Sequence, residues 1–205
     1  MIRSTLILLA LVSACTTENL CTSIDDRCHV VELITHGAGG AIEGSAVVID
    51  DHHVLTAAHV VKGADHVVIK DQNGSYVGHS RDIVAHLEVD LAIVGFPDLD
   101  SLPPATLSAV PVSARVGERV ILYHVEEDRV GELLGSRRLG EAVTDWTVAT
   151  CYGDSGSGVF SAADGALVSI HTSAHPSVDG RCVPCEGYSI DVFALRPWIE
   201  AHSGL

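Results

Sequence analysis

From Val30 to Ile190 the chain is a succession of short β-branched and aliphatic runs, each cut off within a few positions by Gly, Asn, Asp or Pro. No long stretch carries a helical period. Such a pattern buries its apolar side chains as strands of a sheet that repeatedly turns back on itself. In the first half the runs are Val30–Ile34, Ser45–Ile49, Val54–Ala57, His66–Lys70 and Leu91–Val94. In the second they are Arg119–Tyr123, Gly140–Val143, Trp146–Val148, Gly158–Phe160, Ala166–Ile170 and Tyr188–Ile190. Asp50-Asp51, Lys62-Gly63 and Asn73-Gly74 supply turns, and Asp164-Gly165 predicts a hairpin. Pro97, Pro103, Pro104 and Pro111 make residues 97–111 an extended linker. The expected fold is therefore all-β, with two small barrels at about 30–100 and 112–205. Apolar residues at 192, 195, 198 and 199 add a short C-terminal helix, which Pro197 makes begin near 196.

Composition supports a packed domain of this kind. Hydrophobic residues are 47% of the 205, enough for a core. Three Phe, two Trp and four Tyr against 19 Gly leave small and branched side chains to fill it. Twelve Lys and Arg against 27 Asp and Glu give a net charge of −15. That excludes a broad basic surface for nucleic acid and disfavours electrostatic binding to anionic lipid.

The N-terminus reads as an export signal: Arg3, then the apolar run Leu6–Val12, then polar Thr16-Thr17-Glu18-Asn19. The run is too short to span a bilayer, which takes roughly 20 residues. Val12-Ser13-Ala14-Cys15 resembles a bacterial lipobox. That resemblance implies a signal peptide at 1–14, diacylation of Cys15 and a membrane anchor; the alternative is an ordinary signal cut near Ala14. By further resemblance to sorting rules, Thr16 in place of Asp favours the outer membrane, with a periplasmic or secreted protein otherwise. Residues 15–29 read as a polar tether. Export permits disulfides among Cys15, Cys21, Cys28, Cys151, Cys182 and Cys185. Cys182-Val-Pro-Cys185 lacks a second ligand pair and the twelve His are scattered, so neither a metal nor another cofactor is expected.

Gly153-Asp154-Ser155-Gly156-Ser157-Gly158 is the most informative stretch. A nucleophilic serine needs its hydroxyl on a tight turn and backbone N–H groups converging on a developing oxyanion; flanking glycines permit both. The G-x-S-x-G elbow of α/β-hydrolases fails at Ser157, which disfavours an esterase on that fold. His59 ends an apolar run, and Asp90 stands at the mouth of another. The order His, Asp, Ser is that of the chymotrypsin type.

Thr56-Ala57-Ala58-His59, Asp90-Leu91-Ala92-Ile93 and Gly153-Asp154-Ser155-Gly156 resemble the three signature blocks of the trypsin-like serine peptidases. The likeness runs from about 30 to 200. It implies two six-stranded antiparallel barrels with the active site between them, a C-terminal helix, and a protein or peptide substrate. It implies Ser155 as nucleophile, His59 as general base then acid, Asp90 as its orienting carboxylate, and the N–H groups of Gly153 and Ser155 as the oxyanion hole. No Ile-Val-Gly-Gly-like segment precedes the first strand, so a basic side chain is expected beside Asp154, with Arg119, Arg137 and Arg138 as candidates. Tyr152 precedes Gly153 and is placed to cover part of the hole. No PDZ domain is expected after the helix.

The resemblance also frames specificity. Ala149 stands at the pocket floor, which argues against Lys or Arg substrates. Thr150, with Ser169-Ile170-His171-Thr172, is similar to bacterial glutamyl endopeptidases and implies an acidic preference. A shifted alignment moves His171 to the rim and leaves a small apolar pocket. The family also implies a disulfide from Cys151 across the pocket to Cys182, with Cys21 and Cys28 closing a short loop. The alternative function is a catalytically inactive, lipid-anchored homologue acting as a binding module.

Overall fold

The computed structural model describes residues 26–123, 128–136, 143–150, 153–174 and 183–205. Residues 1–25, with the export signal and Cys15, therefore lie outside the described residues, as do Arg137, Arg138, Cys151, Tyr152 and Cys182.

The first half forms β1 (Val30–Gly37), β2 (Gly40–Val48), β3 (His53–Thr56), β4 (Ala64–Lys70), β5 (Tyr76–Ser80), β6 (Asp82–Ala85) and β7 (Ala92–Gly95). The four-residue helix α1 (Ala58–Val61) follows β3. The strands make one sheet in the order β5-β4-β1-β2-β3-β7-β6. The expected closed six-stranded barrel is thus a seven-stranded sheet. Its two edge strands, β5 and β6, are consecutive in the chain and separated only by Arg81. β5 and β6 together stand for the fifth of the six expected strands, β5 pairing with β4 and β6 with β7.

The second half forms β8 (Arg119–Tyr123), β9 (Asp128–Ser136), β10 (Val143–Thr150), β11 (Gly158–Ser161), β12 (Leu167–Ala174) and β13 (Val183–Asp191). These close into a six-stranded barrel in the order β10-β13-β12-β11-β8-β9. The C-terminal helix α2 spans Arg196–His202, with Pro197 in its first turn where a missing N–H costs nothing.

Alternation sets the cores. Along β1, Val31 and Leu33 point inward while Glu32 and Ile34 are less covered. Three apolar clusters result. One fills the first half around Leu33, Val54 and Ile69. Another fills the second barrel around Trp146, Leu122 and Val168. The third joins the halves: Val47, Leu55 and Leu91 meet Phe160, Ile170, Ile190 and Ile199.

The last four residues of the stretch read as a tether, and the stretch read as an extended linker, pack against the fold. Asp26–His29 form a 3-10 turn, Cys28 is buried, and His29 Nδ1 hydrogen-bonds Pro103 O at 2.6 Å. The folded unit therefore begins before Val30. Cys28 is disulfide-bonded, and its partner is outside the residues whose side chains are described. The proline-rich segment inserts Leu99, Leu102, Ala105 and Leu107 into the core. It is held to the first half by Ala105 N–H to Val48 O and to the second by Leu167 N–H to Thr106 O. Prolines fix it extended, so its N–H groups bond neighbouring strands instead of making a helix. Among the described residues no helix is long and apolar enough to cross a membrane.

Candidate active site

The side chains of His59 and Asp90 come from the first half and Ser155 from the second. α1 starts two residues after the buried Thr56, and its Val60 and Val61 are buried in the first core. This anchoring turns His59 outward, its side chain 46% exposed. Asp90 is fixed by Leu91, Ala92 and Ile93 immediately after it, all buried. Its two oxygens hold one residue twice: Oδ2 accepts from His59 Nδ1 at 2.7 Å, and Oδ1 accepts the His59 backbone N–H at 2.8 Å. Burial works to raise the Asp90 carboxyl. The hydrogen bonds from the His59 ring and backbone, with the charge of that ring, outweigh it and hold the group below its ordinary value of 3.8.

Ser155 sits on the turn that leads into β11. Its hydroxyl donates to Thr172 O at 3.4 Å, longer than an ordinary hydroxyl bond, and makes no hydrogen bond to His59. Hydrogen bonds between catalytic groups are often long until a substrate is bound. Gly153 has φ +94° and Gly156 φ +90°, both in the region that favours glycine. Among the described residues, no backbone oxygen accepts the N–H of Gly153 or of Ser155.

A pair that sequence reasoning left out joins the halves. Ser45 on β2 donates its N–H to Ser155 O at 2.8 Å and its hydroxyl to Gly153 O at 3.1 Å. Ser45 O in turn accepts from Thr56 Oγ1 at 2.7 Å. A Cβ on the adjacent Gly44 would fall 2.7 Å from Val60 Cγ1 and 3.0 Å from Ser155 O. Gly44-Ser45 thus touches both the turn carrying His59 and the turn carrying Ser155. The signal available was a pair of small residues just before the apolar run Ala46–Ile49, where another backbone approaches.

The proposed specificity residues are not brought together. Thr150 is buried opposite Val183, whereas His171 is buried opposite Ser189, six positions further along β13. In an extended strand that is about 20 Å. The His171 ring instead meets Trp146 edge-on, with centroids 5.5 Å apart. Ala149 lies in β10, with its side chain outside those described. Asp154 is fully buried; of its candidate partners, Arg119 is exposed at the start of β8.

A family description for the trypsin-like peptidase domain matches residues 44–170, a span that holds His59, Asp90 and Ser155. The chain belongs to the trypsin-like peptidase family. The fold agrees. The active form of the Rv3671c protease from M. tuberculosis superposes with a TM-score of 0.72 at 20% identity, over 87% of this chain and 82% of that one. HL collagenase gives 0.71 at 18% identity, over 86% and 94%. The HtrA-type protease AlgW, with a bound tripeptide, gives 0.68 at 25% identity, over 87% of this chain and 61% of AlgW. No curated protein sequence matches. Serine endopeptidase chemistry is what this family and fold carry.

Proposed function

We propose that the chain cleaves peptide bonds through an acyl-enzyme on Ser155. With Asp90 accepting from Nδ1–H, His59 presents an unprotonated Nε2 towards the cleft. His59 takes the Ser155 proton as Oγ attacks the peptide carbonyl, and gives it to the leaving amine. Water then repeats the sequence on the ester, with the same imidazole first as base and then as acid. The N–H groups of Gly153 and Ser155 stabilise the oxyanion in both halves. The observation that carries this reading is the double grip of Asp90 on His59. Labelling by a fluorophosphonate probe, lost in Ser155→Ala with a fall in kcat of about 10⁴ to 10⁶, is the expected result. An intact protein whose Ser155 is never labelled is instead the inactive binding homologue.

The substrate residue before the cut is either acidic or small and apolar. Burial of His171 against Trp146 favours the small residue. Ala and Val peptides should then be cut better than Glu peptides, and His171→Ala should not alter that ranking. Glu preference abolished by His171→Ala would establish the acidic pocket. We further propose a lipid anchor on Cys15 and a disulfide between Cys151 and Cys182. Labelling with a palmitate analogue, absent in Cys15→Ala, tests the anchor, and peptide mapping tests the disulfide.

A further inference from the structure

The loop that delivers Asp90 is built around one histidine. His86 donates its backbone N–H to Leu91 O at 2.8 Å, closing the loop at its base. Its ring folds inside: Nδ1 takes the N–H of Glu88 at 3.1 Å and the N–H of Val89 at 3.3 Å. A backbone N–H can only donate, so this Nδ1 must be an unprotonated acceptor, whatever the tautomer chosen elsewhere. The outer face of the ring meets Trp198 of α2 edge-on at 5.0 Å, and Val89 packs on the core shared by the two halves.

The same device recurs with other side chains. Asp191 Oδ1 accepts the N–H groups of Phe193 and Ala194, and Ser161 Oγ accepts those of Ala163 and Asp164. In each, a side chain at position i ties down N–H groups at i+2 and i+3. Imidazole differs from a hydroxyl and from a carboxylate in one respect. A proton taken up at mildly acid pH turns its acceptor into a donor. A hydrogen on Nδ1 would face the N–H groups of Glu88 and Val89 and break both bonds.

We propose that His86 is a positioning residue that holds the Asp90 loop only while its Nδ1 is unprotonated, giving the peptidase a second acid-sensitive point besides His59. The titratable groups around it are Glu88 and Asp90 on its own loop, and His59 and Lys62 across the hollow they line together. On α2 they are His202, packed on Trp198, and the Arg196–Glu200 pair. The inference rests on Asp90 serving His59 as proposed above, so one readout is chosen that is independent of activity.

The first experiment compares pH profiles of kcat/KM for wild type, His86→Asn and His86→Ala. An Asn oxygen can accept the same two N–H bonds but takes up no proton. At neutral pH His86→Ala should lose about tenfold to a hundredfold through misplacement of Asp90, and His86→Asn should rescue most of that loss. As pH falls, the ratio of His86→Asn to wild type should rise towards the tenfold to hundredfold loss of His86→Ala, because only the wild-type ring can take up a proton and release the two N–H bonds. Taking the ratio cancels the protonation of His59. The second experiment uses wild-type protein: the amide resonances of Glu88 and Val89 should move in the same pH step as the His86 ring. A ratio that stays flat, an Ala variant as active as wild type, or amides that ignore the ring each overturns the proposal. Full activity of Asp90→Asn with moving amides would instead overturn the triad reading alone.

Discussion

Asp90 places one oxygen on the ring of His59 and the other on its backbone N–H, so it fixes both the tautomer and the position of the imidazole. An Asn there keeps one of these bonds at most. If its oxygen accepts the backbone N–H, its NH₂ faces Nδ1 and donates. The ring must then carry its proton on Nε2, where it cannot take the proton of Ser155. Asp90→Asn should therefore lower kcat by about 10⁴ with the fold intact, and slow fluorophosphonate labelling in parallel. The pH sign follows from the lowered carboxyl. Its contribution to stability is complete above the ordinary value of 3.8 and is lost as pH falls through the lower folded value. A protonated imidazole cannot accept the Ser155 proton, so activity climbing as pH falls from 7 to 5 would contradict the role of His59 as base. The Asp90–His59 pair was legible because the chemistry needs fixed side-chain types, and the glycines beside Ser155 mark its turn. The pairing of Thr150 with His171 was not legible, because it depends on strand register. That their partners stand six positions apart along β13 leaves no local trace in the sequence.

Elements were legible where apolar runs alternate or where turn residues are specific. β8 and α2 coincide with their expected extents, and Asp164-Gly165 does link β11 to β12. β5, β6 and β9 went unread. Tyr76-Val77-Gly78-His79-Ser80 and Asp128–Ser136 mix glycine and polar residues, so neither shows an apolar alternation. Their strands come from partners: β5 lies against β4, and β9 between β8 and β10. The run expected at Ser45–Ile49 begins earlier, as Gly40–Val48 is one strand whose Gly44-Ser45 seats the nucleophile turn. This docking makes a prediction at Gly156. A Cβ there would lie 1.9 Å from Ser45 O and 2.4 Å from Thr56 Oγ1, at φ +90°. Backbone strain and backbone overlap both oppose it. Gly156→Ala should cost about 3 kcal/mol or more, lowering Tm by roughly 6–12 °C, and abolish activity. Gly74→Ala, at φ +75° with nothing within 4 Å, carries the strain alone and should cost about 1–2 kcal/mol. Equal Tm losses in the two variants would show that contact with Ser45 is not what holds the turn.

Over the whole molecule, the candidate site draws on both halves and belongs to a strongly acidic protein. A net charge of −15 repels acidic peptides and attracts basic ones before any pocket is reached. Such a field acts over about 30 Å at 0.01 M salt and only about 3 Å at 1 M. Two peptides with the same residues around the cut, one flanked at a distance by Lys and the other by Glu, separate this effect from specificity. At low salt the Lys-flanked peptide should have the higher kcat/KM, by about tenfold or more, and the ratio should fall towards one as salt rises. The difference should lie in KM at subsaturating substrate, with kcat unchanged, because the field acts on encounter and the chemistry is the same. A pocket that truly prefers a residue behaves otherwise. Its contacts are desolvated and little screened, so a preference for Ala, or for Glu, before the cut should survive at 1 M salt. If the Lys-flanked advantage were equally large at 1 M, it would come from a local contact with the peptide and not from the charge of the molecule. A preference for Glu that appeared only as salt rose would show the opposite: an acidic pocket hidden at low salt by the repulsion of the protein around it.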